Sequence, residues 1–176
     1  GLLLCGAQTQ PLLEGGTGSL SALQEMPDFL PDRLEAGTHN IAGIAGLLEG
    51  IRYVTRTGAE NILAHETRLT QRAARALVRI PAVTVYAAEK GLGQAGVLSF
   101  QIRGMDCEEA GAALGEMGIA VRAGLHCAPL AHRSAGTLGT GTIRASFSAF
   151  NTACETEHFV HAVRCIAART ENNRTR

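Results

Sequence analysis

The chain has one lysine, Lys90, against fifteen arginines, and it has no tryptophan. It has no charge surplus either, since basic and acidic residues cancel to a formal net charge of zero. A nucleic-acid or polyanion binder would carry a basic excess, so that class is excluded. No apolar run reaches the roughly 18–20 residues that a membrane-spanning helix needs, so no membrane partner is expected. The opening Leu2-Leu3-Leu4-Cys5 is too short for a signal peptide and has no basic leader. Without a secretory signal, the five cysteines (Cys5, Cys107, Cys127, Cys154 and Cys165) read as reduced thiols of a cytoplasmic protein. None forms a C-x-x-C pair, which argues against a structural zinc site. The first residue is Gly1 rather than methionine, and the sequence is expected to be a fragment.

What is present suits a soluble globular protein: 176 residues, 45% hydrophobic and 18% charged, enough for one good core or two small ones. Leu2–Cys5 reads as a short strand entering a loop at Gly6. Gly15-Gly16-Thr17-Gly18-Ser19 could approach an anion through its backbone amides, although it matches neither common phosphate-loop pattern. Two prolines make Met26–Arg33 extended. Ile41, Ile44, Leu48 and Ile51 recur at helical spacing, which predicts a helix with one buried face. Thr38 and Asn40 are both suitable N-caps for it, and a helix start beside a threonine hydroxyl also suits a phosphate. A second helix is predicted over residues 59–79, with Ile62, Leu69, Ala73, Ala76 and Ile80 as its apolar stripe and Pro81 as its end.

From Val83 the pattern changes to short strands, Val83–Tyr86 and Val97–Ile102, with a turn at Glu89–Gln94 between them. Asp106-Cys107-Glu108-Glu109 has the form of a capping box and opens a helix that stops near Gly118. Cys107, between acidic neighbours, reads as structural. Thr152-x-x-Glu155 caps the last helix, with Phe159, Val163 and Ile166 inward and a fraying polar tail at Glu171–Arg176.

The densest chemistry lies at Arg122-Ala123-Gly124-Leu125-His126-Cys127-Ala128-Pro129. A guanidinium, an imidazole and a thiol fall within a few residues before proline halts the backbone. Strands are predicted on both sides, Ile119–Arg122 before and Thr142–Phe147 after. A thiol among cationic side chains on a loop between strands is the setting of a reactive cysteine, whereas a lone cysteine is more often a small buried hydrophobe. In the downstream strand Ile143, Ala145 and Phe147 take one face and Thr142, Arg144 and Ser146 the other. An arginine in mid-strand is costly without an anionic partner, and no carboxylate is close in sequence. Either a distant carboxylate or a ligand must answer it.

These residues resemble the C-terminal part of cysteine desulfurases, members of the class V aminotransferase superfamily of fold-type-I pyridoxal-phosphate enzymes. The likeness rests on Arg122–Pro129, on Gly141-Thr-Ile-Arg144-Ala-Ser-Phe and on Asn151-Thr152. Gly15–Ser19, Pro31-Asp32-Arg33-Leu-Glu-Ala-Gly37-Thr38-x-Asn40 and Ile41-Ala-Gly-Ile-Ala-Gly are similar to the same family in the same order. The resemblance implies that Cys127 attacks the sulfur of L-cysteine and leaves as a persulfide, with alanine released. It implies that Arg144 clamps the amino-acid carboxylate and that Arg122 and His126 help to place the substrate. It also implies that Gly37 and Thr38 serve the phosphate of pyridoxal 5'-phosphate, Thr38 reaching the partner subunit of a homodimer. A sulfur-acceptor protein follows as a possible further partner, with iron–sulfur cluster assembly as the family's common destination. His39 stands where relatives have an apolar residue or proline.

The implied organisation is the end of a large cofactor-binding domain over residues 1–58, a linking helix over 59–80, and a small C-terminal α+β domain over 81–176 carrying the cysteine loop. One departure matters. The family's Schiff-base lysine lies in a Ser/Gly-His-Lys motif, and Lys90 has no such motif around it. The covalent lysine is therefore expected outside this chain, which alone should be inactive. Alternatives are a selenocysteine lyase or cysteine-sulfinate enzyme of the same superfamily, or a non-catalytic orphan domain. A peroxide-reducing thiol protein has little support, because no cysteine is placed to resolve an oxidised Cys127.

Overall fold

The computed structural model describes residues 2–4, 6, 9–87 and 93–174, so Cys5, Lys90 and most of the Glu89–Gln94 turn lie outside the described residues. The chain divides into two compact units, residues 1–57 and 58–176.

The first unit is a run of turns leading into helix α1, Ile41–Thr57. Leu2–Leu4 form no strand; they are exposed, and among the described residues this unit has no strand to pair with them, a correction to the sequence reading. Met26–Arg33 is not extended either. Arg33 N–H donates to the Phe29 carbonyl and Leu34 N–H to that of Pro31, closing turns into a short 3-10 helix at Asp32–Leu34. Proline is tolerated at such an entry, where its missing N–H has no partner to lose. Asn40 is the residue that caps α1, its side-chain oxygen accepting from Gly43 N–H at 2.9 Å. The apolar stripe of α1 forms as predicted but is not buried. Ile41, Ile44, Leu48 and Ile51 are 46–69% exposed, because the described residues of this unit leave them uncovered.

The second unit is two layers. A four-stranded antiparallel sheet of β1 (Val83–Tyr86), β2 (Val97–Ile102), β3 (Arg122–Gly124) and β4 (Thr142–Ser146) has spatial order β1-β2-β4-β3. Helices α2 (Ala59–Leu77), α3 (Cys107–Glu116) and α5 (Ala153–Arg174) supply the rest of its core. Register fixes what each face carries. Val85 opposes Phe100 and Phe100 opposes Ile143, while Leu98 opposes Ala145. These side chains pack with Leu77, Leu114, Phe159 and Val163 into one apolar cluster. Phe159 stands edge-on to both Phe100 and Phe147, at centroid distances of 5.7 and 6.1 Å.

Because strand side chains alternate, the other face is set by the same register. It carries Thr84, Tyr86, Ser99, Gln101, Thr142, Arg144 and Arg122. Two helix starts follow the sequence closely. Asp106 accepts from Glu108 N–H and Glu109 N–H, and Thr152 with Glu155 forms the reciprocal capping box. The strand before the cysteine loop is Arg122–Gly124 rather than Ile119–Arg122, since its length is set by pairing with β4, which runs from Arg122↔Arg144 to Gly124↔Thr142. Pro129 does not halt the chain but opens a further helix, α4, Pro129–Ser134. The tail stays helical as far as Arg174 instead of fraying from Glu171, because α5 continues its backbone ladder.

Candidate active site

The cysteine loop is a β-turn of inverted hand. Ala128 N–H donates to the Leu125 carbonyl at 2.9 Å, and the two central residues, His126 and Cys127, have φ of 53° and 56°. Both central φ values are positive, the mark of the mirror-image turns normally built from glycine or asparagine. Holding L-residues there costs on the order of 1–2 kcal/mol each, so the surrounding contacts must enforce the conformation. His126 is the visible anchor. Its Nε2 lies 3.1 Å from the Thr142 carbonyl and 3.2 Å from Thr142 Oγ1, at the start of β4. A carbonyl only accepts, so Nε2 carries the proton and Nδ1 the lone pair. Cys127, next in the chain, is exposed.

Two glycines let the strands meet closely enough for this. Gly141 has φ +64°, and a Cβ there would stand 2.9 Å from Cys107 Sγ and 3.0 Å from the Gly124 Cα. Gly124 itself has φ +106°. Any side chain at Gly141 would push β3 and its turn away from β4. The same corner is tied to the polar face of the sheet. Tyr86 OH donates to Gln101 Oε1 at 2.8 Å, and Gln101 Nε2 donates at 2.7 Å to both Thr140 Oγ1 and the Gly141 carbonyl.

Arg122 and Arg144 are cross-strand partners, directly opposite on that face. Like charges so placed repel. Among the described residues no carboxylate lies within 4.0 Å of either, so the distant acidic partner that the sequence left open is not found there. Arg144 Nε is buried with no hydrogen-bond partner. Its guanidinium also acts on His126, whose pKa is held below the ordinary imidazole value, first by burial and then by the positive charge of Arg144. The loop imidazole is therefore neutral at physiological pH.

Sequence reasoning missed the support behind this loop. His132 on α4 is buried, its Nδ1 2.7 Å from the hydroxyl of buried Thr137, and its ring centroid is 5.8 Å from that of His126. Pro129 at the first position of a helix was the signal that could have revealed α4. In the other unit, Gly37 has φ +79° and its N–H donates to the Gly16 carbonyl at 2.9 Å. Thr17 is buried, its hydroxyl donating to the Leu20 carbonyl at 2.7 Å. The glycine-rich stretch therefore spends polar groups on its own folding. Thr38 is exposed, two residues before the cap of α1.

Residues 4–159 match the aminotransferase class-V model, and the chain belongs to that family. Its relatives include a probable cysteine desulfurase of Mycolicibacterium paratuberculosis, 45% identical over 137 residues, which span 78% of this chain and 19% of that protein. A probable cysteine desulfurase of Xylella fastidiosa is 34% identical over 84% of this chain and 40% of its own length. Among solved structures, the apo cysteine desulfurase of Thermococcus onnurineus NA1 superposes with TM-score 0.72 at 36% identity, covering 90% of this chain and 39% of that one. The Escherichia coli cysteine desulfurase in its S-sulfonic acid form gives 0.73 at 30% identity, over 91% and 39%. The chain thus spans about a fifth to two fifths of the length of these relatives. The α/β fold expected from the resemblance is the fold found.

Proposed function

We propose that the chain is the C-terminal portion of a cytoplasmic, homodimeric, pyridoxal-phosphate-dependent cysteine desulfurase, converting L-cysteine to L-alanine with sulfur carried on Cys127. The observation that carries this reading is the facing pair Arg122 and Arg144, with a buried, partnerless Nε, together with an exposed thiol on the strained turn that follows β3. A planar guanidinium in want of an anion suits a substrate carboxylate, which it grips through two parallel hydrogen bonds. Arg144 fills that role here, and Arg122 adds positive charge from the neighbouring strand.

His126, neutral and donating through Nε2 to Thr142, keeps the turn docked on β4 and orients the thiol without taking its proton. The Cys127 thiolate bonds to the substrate sulfur, and the carbon–sulfur bond breaks. Pyridoxal phosphate, when bound, supplies the electron sink that makes this cleavage accessible. The residues present fit part of its site. Thr38 offers an exposed hydroxyl to the phosphate, whereas the Gly37 amide is already committed to Gly16, which leaves Gly37 to shape the turn. Lys90 does not stand in the expected motif, so the covalent lysine comes from elsewhere and the isolated chain is inactive. A sulfur-acceptor protein receives the persulfide, with iron–sulfur assembly as its destination.

In the full-length protein, Cys127→Ser should abolish alanine formation from L-cysteine. A single turnover of the unaltered enzyme should add one sulfur atom to the peptide containing Cys127, read by mass spectrometry. Unimpaired turnover by the serine variant would move the assignment to a selenocysteine or cysteine-sulfinate enzyme.

A further inference from the structure

Helix α4 is anchored by an imidazole where an apolar side chain would serve. It is six residues long, and its N-cap residue Ala128 supplies no side-chain hydrogen bond. A helix so short is unstable without tertiary anchoring. Leu130, the apolar candidate, is 71% exposed, while the one buried residue of α4 is His132. Packing alone would choose the leucine, so the polar ring is inside for what it bonds.

Its bonds lead to the cysteine turn from two directions. His132 N–H donates to the Ala128 carbonyl at 3.1 Å, and Ala128 N–H donates to the Leu125 carbonyl, closing the turn. On the other side, His132 Nδ1 lies 2.7 Å from Oγ1 of Thr137, itself 3% exposed. Thr137 N–H donates to the His132 carbonyl at 2.8 Å, and the Thr137 carbonyl accepts from Gly141 N–H at 2.8 Å. Gly141 precedes Thr142, whose carbonyl receives His126 Nε2. The contacts thus form a circuit that leaves the turn through α4 and returns to it at the start of β4. His126 and Cys127, both at positive φ, are the strained stretch of that circuit. The His132 ring also stands 5.8 Å from that of His126, centroid to centroid.

We propose that His132, fixed by Thr137, is the positioning residue that holds the His126–Cys127 turn in its left-handed conformation and docks it on β4. That this aims the Cys127 thiol at the substrate sulfur rests on the sulfur-transfer reading. The pair acts through His126 and touches no reacting atom. Without the Thr137 hydroxyl, buried Nδ1 loses its partner, and α4 escapes that cost by turning His132 toward water. The turn then loses its hold on one side, and its positive φ values relax.

The imidazole nitrogens, labelled with 15N in the full chain and read by NMR at mildly alkaline pH, test the turn-holding role. The unaltered chain should show His126 as one tautomer with its proton on Nε2. Thr137→Val keeps the shape and removes the hydroxyl, and His132→Phe keeps a ring and removes Nδ1; both should shift His126 to the averaged pattern of a free imidazole. Thr137→Ser, which restores a hydroxyl, should recover the single tautomer. In the full-length protein, Thr137→Val should lower kcat and kcat/KM for L-cysteine together, with KM unchanged and Thr137→Ser close to the unaltered enzyme. The loss should be on the order of a hundredfold, as when a reacting group is misplaced by about 1 Å. A merely structural role would lower the unfolding midpoint without moving the tautomer or separating kcat from KM. An unchanged His126 pattern in folded Thr137→Val and His132→Phe, an equal loss of kcat in Thr137→Ser, or failure of both altered chains to fold by circular dichroism would each overturn the assignment. If the tautomer responds as expected but the unaltered full-length protein forms no alanine, the sulfur-transfer reading falls and the turn-holding role stands.

Discussion

Helices α1 and α5 both carry apolar residues at helical spacing, yet only α5 buries them. Phe159, Val163 and Ile166 are at most 5% exposed, whereas the best covered of Ile41, Ile44, Leu48 and Ile51 is still 46% exposed. Beyond α1, Thr17 and Pro27 alone are buried among the described residues of the first unit. Amphipathic spacing therefore reports that a helix is built to be covered on one side; it does not report that the cover lies in the same unit. The second unit closes its core with its own sheet and helices. The first leaves the apolar stripe of its helix exposed.

The contrast predicts a ranking of substitutions. Phe100→Ala, which removes a fully buried ring packed edge-on against Phe159, should cost about 3–5 kcal/mol in urea unfolding. Leu48→Ala should cost no more than about 0.5 kcal/mol in the same measurement, as surface changes do. Equal losses at the two positions would break the comparison by showing that α1 is covered in solution. Next in size is Gly141→Ala, expected to cost about 1–3 kcal/mol through its left-handed backbone and its contact with Cys107 and Gly124. Its more telling readout is the alkylation rate of Cys127, which should change as the turn lifts from β4. Asp106→Ala should cost about 1 kcal/mol by removing the cap of α3.

The smallest effect is one of pH. The His126 pKa is lower in the folded state than in the unfolded chain, so the unfolded state binds its proton first as pH falls. Above about pH 6.5 both states are neutral at this residue and it has no effect on the balance. Below that value stability should decline until the folded imidazole also protonates, and His126→Gln should remove this part of the pH dependence. Chemical-denaturation midpoints between mildly alkaline and acidic pH would show it. A midpoint equally sensitive to acid in the glutamine variant would place the titration elsewhere.

The second unit was legible where local rules and tertiary packing agree. The N-cap at Asp106, the capping box at Thr152, the alternation through Ile143, Arg144 and Ala145, and the two strands at Val83 and Val97 all lie where they were predicted, although at Asp106 the side chain alone makes the cap. The cost of an unpaired Arg144 could be read from its mid-strand position alone. That Arg122 stands opposite it could not, because register is a property of strand pairing and not of either strand. The inverted turn at His126 and Cys127 was equally hidden, since neither residue is one that local preference would assign to positive φ. His132 escaped notice because a six-residue helix is too short to show periodicity. Leu2–Leu4 failed for the opposite reason: strand propensity is realised only where another strand accepts the hydrogen bonds.

The opposed arginines of β3 and β4 have one more consequence. Folding compresses two guanidiniums into neighbouring positions, and whatever anion settles between them relieves that crowding. Tightness of ligand grip and resistance to heat then become one quantity seen from two sides, so simple carboxylates or sulfate should raise the melting temperature of this chain with the logarithm of their concentration once it exceeds the dissociation constant. Exchanging Arg144 for glutamine would make the empty protein sturdier while leaving it indifferent to those salts.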